Sequence, residues 1–162
     1  MGGGSELVSN PNVQIARGAN TFVEPKDAVF EYGLRSLLQE LTAFSRVVYV
    51  REIPAFATAP SCFLRPLRLP TTQCAPERER GQVEEAMAAY NRILNRVDNE
   101  MLGVQFVDAL DVLCAGNVCS QWPDGKPILY SDAVHLSPAG ARILVQETEL
   151  VPLILGGTAS SG

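Results

Sequence analysis

VEEAMAAYNRILNRVDNEMLGVQFV, residues 83–107, is the stretch that decides the fold class. Val83, Ala86, Met87, Tyr90, Ile93, Leu94, Val97 and Met101 step by three and four, the spacing of a helix with one apolar face. Gly103 breaks that pattern, and Val104-Gln105-Phe106-Val107 reads as a strand. Upstream, the helical reading extends to Glu77, so a long helix is expected from Glu77 to about Leu102. A second helix–strand pair comes before it. Glu24-Pro25-Lys26-Asp27 opens a helix with Phe30, Leu34, Leu37, Leu38 and Leu41 at helical spacing. Arg46 to Val50 is a short β-branched run, read as a buried parallel strand that ends by Ile53-Pro54. Val13 to Ile15 is a short candidate edge strand. Downstream, Ser137-Pro138 starts a last helix, with the serine as its cap and proline at its first position. Helix–strand–helix–strand–helix implies an α/β fold, a three-layer sandwich around a parallel sheet.

The composition bounds the rest. The 162 residues suffice for one domain and not comfortably for two. Hydrophobic residues make up 46% and charged residues 19%, which excludes a wholly disordered chain. Lys and Arg number 13 against 18 Asp and Glu, a net charge of −5. An acidic chain without a basic run is not built to neutralise phosphates, so no nucleic-acid partner is expected. No apolar run reaches the roughly 18 residues that cross a bilayer. No export signal is visible at the start. Residues 1–10 and 156–162 are Gly- and Ser-rich and read as flexible tails around a domain spanning 11–155.

Ala55 to Pro76 is proline-rich, holds Cys62 and Cys74, and reads as a long irregular loop. Cys114 and Cys119 flank a turn in a second loop, from Cys114 to Lys126. An even count of four cysteines in loops suggests two disulfides and an oxidising compartment. Cys62–Cys74 and Cys114–Cys119 are the preferred pairs, because short loops close at small entropic cost. Reduced thiols and a metal site remain the alternatives, the metal disfavoured by the absence of close Cys-x-x-Cys knuckles.

The chemistry points to Leu129-Tyr130-Ser131-Asp132-Ala133-Val134-His135-Leu136-Ser137-Pro138, which contains the chain's one histidine. Asp132 lies three residues before His135, just ahead of a capped helix. At that spacing the carboxylate can accept the imidazole Nδ1 proton while Nε2 faces a cleft, the arrangement of a general base with its orienting acid. The plainer alternative is a surface histidine, with Asp132 a turn former.

Asp132-x-x-His135-Leu136-Ser137-x-x-Gly140-Ala141 resembles the last sequence block of the SGNH/GDSL hydrolase superfamily. More narrowly, it resembles the SGNH domain fused to membrane acyltransferase-3 proteins, the bacterial O-acetylases of lipopolysaccharide and peptidoglycan. The Ile53-Pro54 strand end, the two cysteine pairs and Lys126-Pro127-Ile128-Leu129-Tyr130 fit the same branch. The resemblance spans roughly Asp27 to Gln146. It implies that His135 activates a serine hydroxyl, that Asp132 orients it, that Leu136 packs the loop, that Ser137 caps the helix and that Gly140 allows close packing. It also implies an acyl-ester or glycan substrate, an acyltransferase-3 partner, no cofactor, and a periplasmic or cell-surface location. The family's nucleophile lies in a Gly-Asp-Ser block, which these residues lack. Gly18 and Asn20 do not sit in the context of the family's oxyanion-hole residues. The chain is therefore expected to be the C-terminal portion of such a domain, lacking its N-terminal strand or strands, with very low activity alone. Two alternatives stand beside this reading: a non-catalytic extracytoplasmic binding module, and an unrelated α/β domain whose histidine is structural.

Overall fold

The computed structural model describes residues 3–12, 15, 25–56 and 77–155. The candidate strand at Val13 to Ile15, most of the Ala55 to Pro76 loop with Cys62 and Cys74, and Gly18 and Asn20 lie outside them, Ile15, Ala55 and Phe56 excepted. The chain divides into two compact units. The first comprises Met1–Glu52 and Glu84–Val107, the second Ile53–Val83 and Asp108–Gly162.

The first unit contains α1 (Gly4–Ser9), α2 (Lys26–Thr42), β1 (Val47–Val50), α4 (Ala88–Glu100) and β3 (Val104–Val107). Its core forms where the helical stripes meet the β-branched strands. Leu34 and Leu38 of α2 pack with Tyr90, Ile93, Leu94 and Val97 of α4 and Val104 of β3. β1 and β3 pair in parallel, Val47 opposite Val104 through Val50 opposite Val107. The parallel pair and the helix before each strand agree with the expected α/β class. Outside the core, Glu31 on α2 accepts from Arg35 and from Arg96 of α4. The hydrogen bond from Arg96 is the main reason its carboxyl is held below the usual range.

Two expectations change here. Leu37 and Leu41, assigned to the apolar face of α2, are exposed at 53% and 43%. The packed stripe is carried by Leu34 and Leu38, because α4 covers only part of the helix circumference. The stretch read as an N-terminal tail includes the short helix α1, in contact with α2 and α4. Glycine suits this approach, since a Cβ at Gly4 would stand 2.4 Å from the Tyr90 ring.

The second unit holds β2 (Glu77–Glu79), most of α3 (Arg80–Ala86), α5 (Leu110–Leu113), β4 (Cys114–Ala115), β5 (Val118–Ser120), α6 (Pro138–Glu147) and α7 (Leu150–Leu155). Its sheet is antiparallel, in the order β2-β5-β4. The hairpin of β4 and β5 turns at Gly116, whose φ of +61° suits a residue without Cβ. Phe56, Val83, Leu110, Leu113, Leu129, Tyr130, Leu144 and Leu153 are buried in this unit.

The long helix expected over Glu77–Leu102 is three elements instead. Glu77–Glu79 is drawn into a strand against Val118–Ser120. Its charged side chains are tolerated because β2 is an edge strand. The remaining helix breaks at Met87, where φ is −98° and ψ is 1°. Apolar periodicity runs through that break undisturbed, which is why the break is invisible to pattern reading. Of the two disulfides preferred from sequence, Cys114–Cys119 is present with Cα atoms 3.9 Å apart, the two residues facing each other across the hairpin.

Candidate active site

Asp132 and His135 lie in the turn that leads into α6. The entry to that turn is fixed by backbone pairing. Leu129 N donates to Gln121 O at 2.8 Å, and Ser137 N donates to Leu129 O at 2.8 Å. Tyr130 and Leu136 form an isolated antiparallel bridge, so the chain returns on itself across five intervening residues. Ser131 N donates to His135 O at 2.9 Å and closes the turn.

Within it, the Asp132 carboxylate does two things at once. Oδ1 accepts from the backbone N–H groups of Val134 at 2.8 Å and His135 at 2.7 Å. Oδ2 stands 2.6 Å from His135 Nδ1. These bonds, led by that from Val134 N, pull the Asp132 carboxyl down to about 2. At neutral pH it is therefore a carboxylate, which can only accept, and Nδ1 must be the protonated ring nitrogen. Nε2 is left as the acceptor of a proton. The Asp132 and His135 side chains are 41% and 68% exposed, so that nitrogen is within reach of solvent.

Helix α6 ends the turn as expected from Ser137-Pro138. Ser137 Oγ accepts from Gly140 N at 3.1 Å and donates to Ile128 O at 2.6 Å. Gly140 is buried, and a Cβ there would stand 2.1 Å from Leu129 O. Leu136 is half-buried beside Tyr130.

The serines nearest in sequence are engaged elsewhere. Ser131 Oγ donates to the carbonyls of His135 and Leu136, at 3.2 and 3.3 Å. Ser120 Oγ accepts from Trp122 N at 3.1 Å. Ser5 and Ser9 belong to α1 in the other unit. A surface cavity of about 460 Å³ in the first unit, lined in part by Arg46, Asp98, Gln105 and Phe106, includes neither Asp132 nor His135.

Two supports of the turn carried no sequence signal. Phe56 N donates to Ala133 O at 2.8 Å, and the Phe56 ring meets Tyr130 edge-on at 4.9 Å. Gln121 donates from Nε2 to Asp132 O at 3.2 Å. Neither residue lies in a periodic stretch or a motif.

A parallel strand pair with preceding helices makes this an α/β protein, and its candidate site is a carboxylate-oriented histidine just before a capped helix. The chain belongs to the family described as the SGNH domain fused to AT3 domains, whose model matches residues 5–149. That membership implies an esterase- or acyltransferase-like hydrolase and supports an association with acyltransferase-3 domains. No curated protein and no solved structure matches the chain.

Proposed function

We propose that this chain carries the Asp–His half of an SGNH esterase or O-acetyltransferase domain acting on cell-envelope glycans. The supporting observation is the 2.6 Å contact between Asp132 Oδ2 and His135 Nδ1, on a carboxyl held ionised by its neighbours. The family's nucleophile is a serine of a Gly-Asp-Ser block, which this sequence does not contain. His135 Nε2 takes the serine proton as the hydroxyl oxygen attacks the ester carbonyl. The imidazolium then gives that proton to the departing alcohol as the acyl-serine forms. A sugar hydroxyl or water next loses a proton to Nε2 and attacks the acyl-serine. The tetrahedral adduct collapses, and the serine oxygen leaves with the proton. Asp132 stays ionised and stabilises the imidazolium at each stage.

The same reading includes the finer features: a three-layer sandwich, an acyltransferase-3 partner and a periplasmic or cell-surface location. The Cys114–Cys119 bridge supports an oxidising compartment.

The test is hydrolysis of a short-chain aryl acetate. The 162-residue chain stays at background, and His135→Ala leaves it there. A longer chain that includes a Gly-Asp-Ser block turns over, and His135→Ala lowers its rate by roughly 10²-fold or more. Turnover by the 162-residue chain that depends on His135 would place a nucleophile within it and overturn the fragment reading. A longer natural chain without that block would favour the non-catalytic module.

A further inference from the structure

We infer that Gln121 is a positioning residue for the Asp132–His135 pair, an inference that rests on the reading of that pair as the acid–base half of the site. Gln121 is fully buried, at 0% exposure. Its two polar ends are treated very differently. Nε2 donates to the backbone carbonyl of Asp132 at 3.2 Å, while Oε1 has no hydrogen-bond partner among the described residues. A leucine would fill the same space without burying an unpaired acceptor, so packing alone does not account for an amide here. What the amide supplies is the bond to Asp132 O.

That bond completes the clamping of the turn. Asp132 O is held by Gln121, Ala133 O by Phe56 N, and His135 O by Ser131 N. With the peptide after Asp132 fixed, the Val134 and His135 N–H groups stay aimed at Oδ1, and Oδ2 stays on Nδ1. Gln121 is itself well anchored. It directly follows β5, whose Cys119 is bridged to Cys114, and its own carbonyl accepts from Leu129 N. A rigid hairpin thus reaches across eleven residues of sequence to set the orientation of the carboxylate. Pre-organisation of this kind keeps a base aligned before substrate arrives.

The experiment uses the full chain and its one histidine, whose imidazole signals need no assignment by elimination. Proton and nitrogen NMR would follow the Nδ1 proton, expected downfield of the amide envelope. Hydrogen exchange would follow the Val134 and His135 amides. In Gln121→Leu the Nδ1 proton should exchange with solvent at least about tenfold faster. The two amides should lose protection by a similar factor, while the Leu144 amide in α6 changes less than about twofold. Gln121→Met, which keeps the length and volume but has no N–H donor, is the second variant should the leucine variant fail to fold. Unchanged exchange at His135 and Val134 would overturn the inference. Equal loss at Leu144 would also overturn it, by showing a general structural role. Asp132→Asn separates the underlying reading: if it leaves the Nδ1 signal unaltered, the Asp–His pair itself is wrong.

Discussion

Asp132 accepts from the turn's backbone and from the His135 ring at once, and one pH range reports both. Its carboxyl titrates near 2 in the folded chain against an ordinary value of 3.8. The folded state therefore holds the proton less tightly than the unfolded state. The stability contributed by the carboxylate is fully present above about pH 4 and is lost as pH falls through about 2. We expect the Asp132 side-chain carbonyl carbon to titrate by NMR with a midpoint near 2. Asp132→Asn should remove that part of the acid dependence of unfolding. A midpoint near 3.8 would mean that the bonds from Val134 and His135 do not form in solution. The residue types and spacing of this pair were legible from sequence because three positions span a single turn. The supports at Phe56 and Gln121 were not, because each reaches the turn from outside it, Phe56 from far along the chain and Gln121 from eleven residues upstream.

At the level of elements, the start of α6 and the face of α2 make opposite points about substitution. Ser137→Ala removes the cap on Gly140 N and should cost about 0.5–2 kcal/mol. Gly140→Ala places a methyl 2.1 Å from a backbone oxygen of Leu129, and neither atom belongs to a flexible side chain. It should cost about 1–3 kcal/mol or more, because the helix must shift away from the strand-like entry to the turn. Denaturant midpoints should therefore fall further for Gly140→Ala than for Ser137→Ala, and the reverse order would contradict this packing. In the first unit, Leu94 is fully buried, whereas Leu37 is 53% exposed. Leu94→Ala should cost roughly 2–5 kcal/mol and Leu37→Ala less than about 0.5 kcal/mol, measured by the same unfolding curves. Sequence spacing had placed Leu37 on the packed face. A helical stripe defines a direction, but the width of the neighbouring element decides how much of it is covered.

For the whole molecule, net charge is the property read most directly from composition. At −5, the chain should give no shift of duplex DNA even at roughly 50 mM salt, where phosphate attraction is strongest. Salt-sensitive binding under those conditions would show a basic surface that the composition does not suggest. Family membership over residues 5–149 agrees with the resemblance carried by the Asp–His block. Among the described residues, no helix is long and apolar enough to cross a membrane.

The features that the sequence determined by itself are those set by near neighbours. β1 was legible as a β-branched run, β3 as the short stretch after the Gly103 helix stop, α6 as a serine cap followed by proline, and the Asp132–His135 pair by its three-residue step. The Cys114–Cys119 bridge spans five residues and needed only a turn between its ends. Tertiary structure decided the rest. Glu77–Glu79 became a strand because a hairpin about forty residues later offered its edge, and short charged segments take the conformation of whatever pairs with them. The helix broke at Met87 although its apolar period continues on both sides. Gln121 gained its role because folding buried it beneath the carbonyl of Asp132. Periodicity records which side chains avoid water, but it carries no record of which distant backbone group a buried donor will meet.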